Sequence, residues 1–385
     1  MNAPKIKALA LAVAAATAAT TAYQAHAQLE EVIVTAQKRS ESAQDVPIAI
    51  TAFDEEAMKA QQITGFGDMR FAAPNVSYTK ANFAGNNFMI RGVGTNLVAA
   101  SADAGVGVHV NEVPLISPRL FETEYYDVQQ VAVLRGPQGT LYGRNSTGGA
   151  VNMITNRAVP GELSGNLEGQ AGNYDHLQAN GAINIPLGDQ MALRFAGIWL
   201  DREGYTENLG TGNDVDGRDQ YSLRGAFNWS GERTTVDLMV SYFDEDSSRS
   251  RSQKTMCNND PSALLGCLPD KLEFEQPNPT ASLGYILSYE IQLGPQGIFQ
   301  FGTNDTTGSP RDMRKVSSQR DPTYEADETL VTLNISHELD KHTLALVAGY
   351  QDTSVVSQMD YTWSEVYPAE VPSLLQVVAP QTYGT

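Results

Sequence analysis

The apolar and polar positions of this chain follow two different patterns, which meet near residues 160–161. From Leu163 to Ala171, small or apolar residues alternate with polar ones, and this period of two gives a strand one apolar and one polar face. A wall between lipid and a water-filled lumen needs such strands. The alternation recurs in six further segments, which are 177–187, 191–200, 221–229, 236–242, 330–339 and 343–351. The pattern therefore predicts seven strands.

The connections between these segments alternate in length, which is typical of an antiparallel transmembrane β-barrel. Short turns at 186–190, 230–233 and 340–341 fall at one end, and long loops at 201–218 and 244–327 fall at the other. We expect the short turns on the periplasmic side and the long loops outside. With the last stretch, 355–385, counted as an eighth, these strands are too few to surround a plug, because plugged barrels have about 22. Residues 158–385 are therefore expected to form the N-terminal part of an incomplete barrel, in a chain truncated from one roughly twice as long.

Residues 46–157 show a mixed pattern that predicts an α+β domain with a mixed sheet. Asp54 can cap a helix that carries two glutamates in its first turn and runs to about residue 63, and a second short helix at 66–72 ends before Pro74. Strand candidates surround these helices, at 46–51, 75–79, 87–91, 105–113, 128–134 and 150–155. We expect this domain to fold separately from the strands that follow it.

The first 27 residues have the features of a secretory signal peptide. Lys5 and Lys7 precede an uncharged Ala-rich run, which ends in the small-residue cleavage pattern Ala25-His26-Ala27. A membrane anchor is the alternative, but a run of Ala and Thr is weakly apolar for a span. Residues 28–45 then form a free end with four successive β-branched residues at 32–35, a segment prone to pair with another sheet edge.

Composition excludes several other functions. The formal net charge of −19 argues against a nucleic-acid partner. A secreted hydrolase is the enzymatic alternative, but the five histidines are scattered and no hydrolase or metalloprotease motif occurs, so we expect no enzyme, cofactor or metal site. The glycine spacing from Gly143 to Gly148 matches a phosphate loop, but Gly149 and Ala150 follow where such a loop needs Lys and Ser or Thr. Cys257 and Cys267 lie close together in an exported chain, where a disulfide is the default.

Several segments of the mixed domain resemble, in order, the plug domain of TonB-dependent outer-membrane receptors. They are VPIAITAF, APNVSY, FMIRGVGTN, GVGVHVNEVPL and LRGPQGTLYGRNSTGGAVNMIT, the last spanning 134–155. The resemblance implies four regions, which are a signal peptide at 1–27, a TonB box and linker at 28–45, the plug at 46–157 and barrel strands at 158–385. It also implies an active importer of a scarce ligand, most often a ferric siderophore. Haem, cobalamin, nickel chelates or glycans, a non-transporting binding barrel, or an inactive truncated remnant remain alternatives.

The segment EEVIVTA resembles the TonB box, the peptide seized by the periplasmic domain of the energy-transducing protein TonB. The resemblance implies that TonB, and indirectly ExbB and ExbD, are partners, together with outer-membrane lipid. The residues implied to bind TonB are Glu31, Val32, Ile33, Val34, Thr35 and Ala36. The alternative is a first strand of the plug itself. A tail locked inside the plug sheet would contradict the transport reading.

The family also implies roles within the plug. Arg91 and Arg135 are expected to face charged groups of the barrel wall, the alternative being surface charges beside turns. The implied structural turns are Gly92, Gly136, Gly139, Gly143, Gly148 and Gly149. Candidate ligand contacts, or else ordinary loop residues, are Asn82, Phe83, Asn86, Asn96, Arg119 and Tyr125. The family's charges before Arg135 are replaced here by Gln129, Gln130 and Ala132, so we expect a less stable plug that a glutamate at Ala132 would strengthen.

Overall fold

The structure is a computed structural model with a plug and a wall of strands. It describes residues 33–34, 41–42, 44–80, 86–94, 103–116, 124–208, 211–249, 258–259, 267–268, 291–293, 299–301, 314–316 and 320–358. Within these ranges, every helix is too short or too polar to span a membrane.

The first half of the chain contains short strands and short helices. Its strands are β1 (Ile33–Val34), β2 (Glu41–Ser42), β3 (Ala49–Asp54), β4 (Val76–Lys80), β5 (Asn86–Ile90), β6 (Val93–Gly94), β7 (Val106–Val110), β8 (Val113–Pro114), β9 (Val128–Arg135) and β10 (Gly149–Thr155). Its helices are α1 (Glu55–Ala60), α2 (Met69–Ala72), α3 (Gly139–Tyr142) and a 3₁₀ turn at Phe66–Asp68.

The second half consists of long strands and the short strands of their connecting loops. The long strands are β11 (Ser164–Ala171), β12 (Leu177–Pro186), β13 (Met191–Arg202), β16 (Arg218–Ser230), β17 (Thr234–Ser247), β23 (Thr323–Glu338) and β24 (Thr343–Gln358). The loop strands are β14 (Thr206–Asn208), β15 (Asn213–Val215), β18 (Asn258–Asn259), β19 (Cys267–Leu268), β20 (Ile291–Leu293), β21 (Phe299–Phe301) and β22 (Lys315–Val316).

The plug is built on a five-stranded sheet in the order β3-β9-β10-β7-β8, and a smaller sheet has the order β4-β5-β6. The pair β10–β7 is parallel and the other pairs are antiparallel, so the predicted mixed sheet is confirmed. Helix α1 begins where predicted, because the Asp54 carboxylate accepts a hydrogen bond from the Ala57 amide at 2.7 Å. A core that includes Met69, Ile90 and Val131 lies between the helices and the sheets.

The wall is one antiparallel sheet of seven sequential strands, in the order β11-β12-β13-β16-β17-β23-β24, and this confirms the seven predicted strands. Alternate residues differ in environment along each strand. On β17, for example, Leu238, Val240 and Tyr242 are exposed on the outer face, whereas Met239 and Phe243 are buried on the face toward the plug. An apolar outer face is what contact with lipid hydrocarbon requires.

Several boundaries differ from the sequence-based ones; β23 begins at Thr323 rather than at 330, and β24 ends at Gln358 rather than at 351, inside the stretch counted as an eighth strand. Two other differences have clear physical reasons. The segment predicted as one strand at 105–113 is a hairpin, in which Asn111 and Glu112 have positive φ of 48° and 70° between β7 and β8. Glutamate is a poor signal for such a turn, since Asn-Gly is the usual pair. Strand β17 extends past the predicted end at Tyr242, because its pairing with β23 continues to Ser247, and residues 244–247 are polar on both faces.

The two long loops are joined to each other. Strand β14 pairs with β15 and, in parallel, with β22 from the longer loop. The Asp321 carboxylate accepts hydrogen bonds from Asn208, Thr211 and Asn213 at 2.6–2.8 Å. These bonds hold the two long loops in one structure above the wall.

Candidate functional site at the plug–wall interface

The plug contacts the wall most closely through Tyr126 and Asp127, just before β9. Asp127 forms two hydrogen bonds with Arg194 of β13, at 2.9 and 2.5 Å, and the side chains are only 5% and 13% exposed. Tyr126 shares a 2.6 Å hydrogen bond between its hydroxyl and that of Ser222, and its ring lies 4.4 Å below the Arg224 guanidinium. A buried bidentate pair of this kind is strong only when both partners stay in place.

Arg224 of β16 completes this contact from the other side. Its Nη1 donates to the backbone carbonyls of Tyr126 and Asp127, at 3.3 and 3.2 Å. Asp127 has a positive φ of 50°, a conformation that aspartate tolerates better than most residues. The Asn156 side chain donates to the same carboxylate at 2.9 Å. The segment before β9, the end of the plug and two wall strands therefore meet at one residue.

A second contact joins the turn of the β7–β8 hairpin to β17 and β23. The Asn111 carbonyl accepts a hydrogen bond from the Asn334 side chain at 3.0 Å, and its side-chain nitrogen lies 3.4 Å from the Thr332 hydroxyl. Nearby, Arg157 forms a 3.2 Å ion pair with Asp237, in which the arginine is 49% exposed. A pocket of about 20 Å³ separates these groups, which is room for roughly one water molecule.

The linker between the plug and the wall is pinned by Asn184 of β12. Its side chain, 1% exposed, donates to the carbonyls of Val159 and Glu162 at 2.8 and 2.6 Å and accepts from the Val159 amide at 2.8 Å. All hydrogen-bonding groups of this amide but one are thereby used. The chain leaves the plug in a fixed position against the wall.

A polar cavity of about 1060 Å³ lies between α1, the segment at 124–128 and the first three wall strands. The wall contributes uncharged amides such as Gln178 and Asn180 together with Glu168. Helix α1 contributes Glu55 and Lys59, which form a 2.7 Å ion pair. Asp127 and Arg194 both line the cavity, so a movement of this part of the plug would change its size.

The segment resembling a TonB box lies outside the plug's five-stranded sheet in its described part. Ile33 and Val34 form strand β1, which pairs antiparallel with Ser42 and Glu41 of β2. The remaining members of the set, Glu31, Val32, Thr35 and Ala36, fall outside the residues that the structure describes. A two-residue pair is a weak association. TonB binding stays a prediction.

Arg91 and Arg135 lie at neighbouring turns of the plug. A Cβ built on Gly136 would lie 3.8 Å from Arg91 Nη1, and Arg91 itself is exposed with a positive φ of 55°. Arg135 is half-buried, and its Nε has no hydrogen-bond partner among the groups that the structure describes. Neither arginine has a hydrogen bond or ion pair with the described parts of the seven wall strands. Their contact with barrel charges stays a prediction.

The glycines of the 134–155 stretch differ in what their surroundings demand. Gly149 has a φ of 152°, and a Cβ there would collide with the Leu134 carbonyl. A Cβ at Gly148 would come within 2.6 Å of the Val93 carbonyl oxygen. Gly92, Gly136 and Gly143 lie in turns with positive φ, whereas Gly139 starts α3 with nothing within 4 Å of a built Cβ.

Tyr125 packs inside the plug. Its ring lies 5.8 Å from that of Phe66, edge to face, and its hydroxyl is buried without a partner among the described residues. Burial raises the pKa of this hydroxyl well above its usual value, and the nearby charge of Asp68 adds to the shift. The ring therefore packs against the plug core at the edge of the polar cavity, and a ligand contact there stays a prediction.

The other ligand candidates cannot be placed to the same degree. Asn82, Phe83, Asn96 and Arg119 lie outside the described residues, and Asn86 is described only as part of the β5 backbone. Of the cysteines, Cys257 also lies outside, while Cys267 belongs to β19, whose partner β18 begins at the next residue, Asn258. The disulfide stays a prediction.

The residues that join plug and wall were missed by the sequence reasoning, which had looked for plug arginines. Arg194 and Arg224 lie on the faces of β13 and β16 that are turned toward the plug, and a buried arginine needs a partner. The two arginines within predicted strands were visible in the sequence. The identity of the partner could not be predicted, because Asp127 and Arg194 are 67 residues apart and belong to different domains.

Comparison with known proteins gives a consistent result. Residues 42–150 match the family model described as the TonB-dependent Receptor Plug Domain. The pesticin receptor of Yersinia pestis is 28% identical over 200 residues, covering 50% of this chain and 28% of that protein. The iron-regulated outer membrane virulence protein of Vibrio cholerae is 25% identical over 193 residues, covering 45% and 28%. The chain thus spans less than a third of the length of these relatives.

Solved structures show the same fold. The ferric yersiniabactin uptake receptor FyuA from Yersinia pestis matches with a TM-score of 0.60 at 17% identity, covering 80% of this chain and 41% of that one. The ferric-catecholate import receptor Fiu from E. coli K12, in its closed form, matches with a TM-score of 0.58 at 15% identity, covering 84% and 40%.

Proposed function

Since this chain belongs to the TonB-dependent outer-membrane receptors, we propose that the protein carrying it imports an iron chelate, a ferric siderophore, with energy supplied through TonB. The observation that carries the proposal is a plug seated against the lumen face of a barrel wall by buried polar contacts. A stopper held in this way keeps a wide pore closed until it is moved. The relatives named for iron regulation and ferric siderophore uptake support an iron chelate as the ligand.

TonB is the proposed motor, and the segment 31–36 is its proposed handle. The four β-branched residues at 32–35 favour an extended conformation, which could add to a sheet edge of TonB through main-chain hydrogen bonds. The two-residue pairing of β1 with β2 supports this role, since so small an association is readily exchanged for a longer one. Export by a cleaved signal peptide at 1–27 is part of the same proposal.

The test is growth of an iron-starved strain whose receptor gene is deleted and then restored with the complete coding sequence. We expect restored growth on one ferric siderophore from a panel of catecholate and hydroxamate chelates. Ile33→Pro should abolish growth but leave binding of the same chelate intact, because proline removes a main-chain donor. Lys38→Pro, outside the proposed handle, is the matched control. Restored uptake of haem or cobalamin but of no siderophore would contradict the ligand proposed here.

A further inference from the structure

We propose that Asp127 is the positioning residue that keeps the plug seated in the closed pore, through a clamp formed by Arg194 and Arg224 of the wall. The inference deepens the proposed transport function, since it concerns how the same pore stays shut. The charges of the two partners are reversed relative to the contact expected for Arg91 and Arg135. Here the plug supplies the acid, and the wall supplies the two cations.

The geometry of Asp127 suits a clamp. Both carboxylate oxygens are engaged by Arg194, at 2.9 and 2.5 Å, which fixes the orientation of the carboxylate and its distance from β13. The pair is buried, with exposures of 5% and 13%, so neither water nor salt screens it as they would a surface pair. Removing one partner would leave the other charge buried without compensation.

Arg224 holds the same segment by different chemistry. It donates to the carbonyls of Tyr126 and Asp127 and stacks on the Tyr126 ring, while the Tyr126 hydroxyl bonds to Ser222. These contacts fix the backbone at Tyr126 and Asp127, so that the Asp127 carboxylate lies within hydrogen-bonding distance of Arg194. Two adjacent wall strands therefore hold one short piece of the plug between them.

The position of Asp127 and Arg194 beside a cavity determines what the loss of their contact would do. Asp127 and Arg194 both line the polar cavity of about 1060 Å³ between the plug and the first wall strands. Asn156, the residue where the plug ends, is bonded to the same carboxylate at 2.9 Å. Release of Asp127 would free the segment at 124–128 and the end of the plug together, and the cavity would widen toward a through passage.

The test is leakage of a hydrophilic solute that general porins exclude, measured as vancomycin susceptibility of a strain lacking TonB. The complete receptor is used, with its surface level checked for each variant. Asp127→Ala and Arg194→Ala should raise susceptibility, since loss of one partner of a buried pair shifts the seated-to-displaced ratio on the order of a hundredfold. Arg233→Gln should not, because its 3.2 Å pair with Asp340 is exposed and joins two wall turns.

A neutral pair separates the clamp from a general loss of structure. Asp127→Asn keeps a residue that tolerates positive φ, and Arg194→Gln removes the opposing charge. Each single variant leaves one buried charge and should leak, while the double variant should leak no more than either single one. Leakage in the double variant equal to the combined effects of the two singles would overturn the pairing. Unchanged susceptibility in all four single variants at normal surface levels would overturn the proposal.

The assay needs neither ligand nor TonB. A negative result would therefore refute the clamp and leave the proposed import function standing, whereas failure of the growth test would leave the clamp standing.

Discussion

Replacement of Ala132 by glutamate should destabilise the plug, which reverses the expectation drawn from the family's charge pattern. Ala132 is 3% exposed and packs with Val46, Leu134 and Tyr142. Residues on a strand alternate between its two faces, so position 132 points away from the side on which Arg135 lies. A glutamate there cannot supply the missing partner of that arginine. It would be enclosed by apolar groups and by the side chain of Asn152, which lies across from position 132 on β10.

The magnitude follows from three terms. Burial raises a glutamate pKa by up to about 3–5 units, but at pH 7 the charge penalty is limited to about 3.7 kcal/mol, which is about 1.4 kcal/mol for each pH unit above the unfolded-state pKa of about 4.3. Overpacking adds about 1–3 kcal/mol. The buried side chain across from position 132 on β10 is Asn152, whose amide could return about 1.5–3 kcal/mol through one hydrogen bond to the charged group. The net cost is about 2–5 kcal/mol, a large part of a typical domain stability of about 5–15 kcal/mol.

Hydrogen exchange of the β9 amides in the purified receptor measures this cost. Protection should fall by about 10–10⁴-fold at pH 7, at about 1.4 kcal/mol per factor of ten. Gln129→Glu places the same charge on an exposed position of the same strand and should change stability by no more than about 0.5 kcal/mol. Ala132→Gln, which is equally large but uncharged, isolates the overpacking term.

The pH dependence gives an independent check. A buried glutamate has a folded-state pKa above its unfolded value of about 4.3, so the folded state binds more protons in the interval between the two. The charge penalty is absent below about pH 4 and grows as the pH rises toward the folded-state pKa. Ala132→Glu and Ala132→Gln should therefore converge in acid. Equal β9 protection in Ala132→Glu and Gln129→Glu at pH 7 would refute the reasoning.

Three further perturbations test other contacts. A Cβ on Gly349 would lie 3.2 Å from the Val113 Cβ, which is close to disulfide geometry. The double variant Val113→Cys with Gly349→Cys should therefore lose uptake when it is oxidised and recover uptake when it is reduced. Uptake by the fully oxidised form would show that β8 need not leave β24. Asn184→Leu should cost about 2–4 kcal/mol by leaving linker backbone groups unpaired, seen as faster proteolysis after residue 157, with Asn180→Leu as control. Desolvation alone would raise the pKa of Asp321, but its three hydrogen bonds together lower that pKa. The carboxylate therefore stabilises the two long loops until it is protonated, and these loops should become more sensitive to protease only as the pH falls below about 4. The variant Asp321→Asn should be equally sensitive at pH 7 and pH 3.

Much of the architecture could be predicted from local patterns. The period of two located all seven wall strands, because one face of each meets lipid and the other does not. The Asp54 cap fixed the start of α1 within a residue. These features depend on neighbours in sequence, and so they can be read from it.

The contacts that fasten the plug could not be predicted in the same way. Each joins residues far apart in the chain, such as Tyr126 with Ser222 or Asn111 with Asn334, and the signs of the charges do not say which pairs meet. The hairpin at 111–112 was missed because its turn uses Asn-Glu. The burial of Ala132 depended on which face of β9 lies against Val46, and a strand buried on both faces carries no such signal.

The pinned linker has a consequence for the distance that the plug can travel. About seven residues connect Asn156 to the first wall strand, and a free segment of that length could extend to roughly 25 Å. Asn184 fastens Val159 and Glu162 to β12, so most of that slack is taken up while its hydrogen bonds hold. A displaced plug would therefore rotate about the point where the chain leaves it and would travel only a short distance. The short linker would keep the plug beside its seat, so that it could return when the pulling force ends.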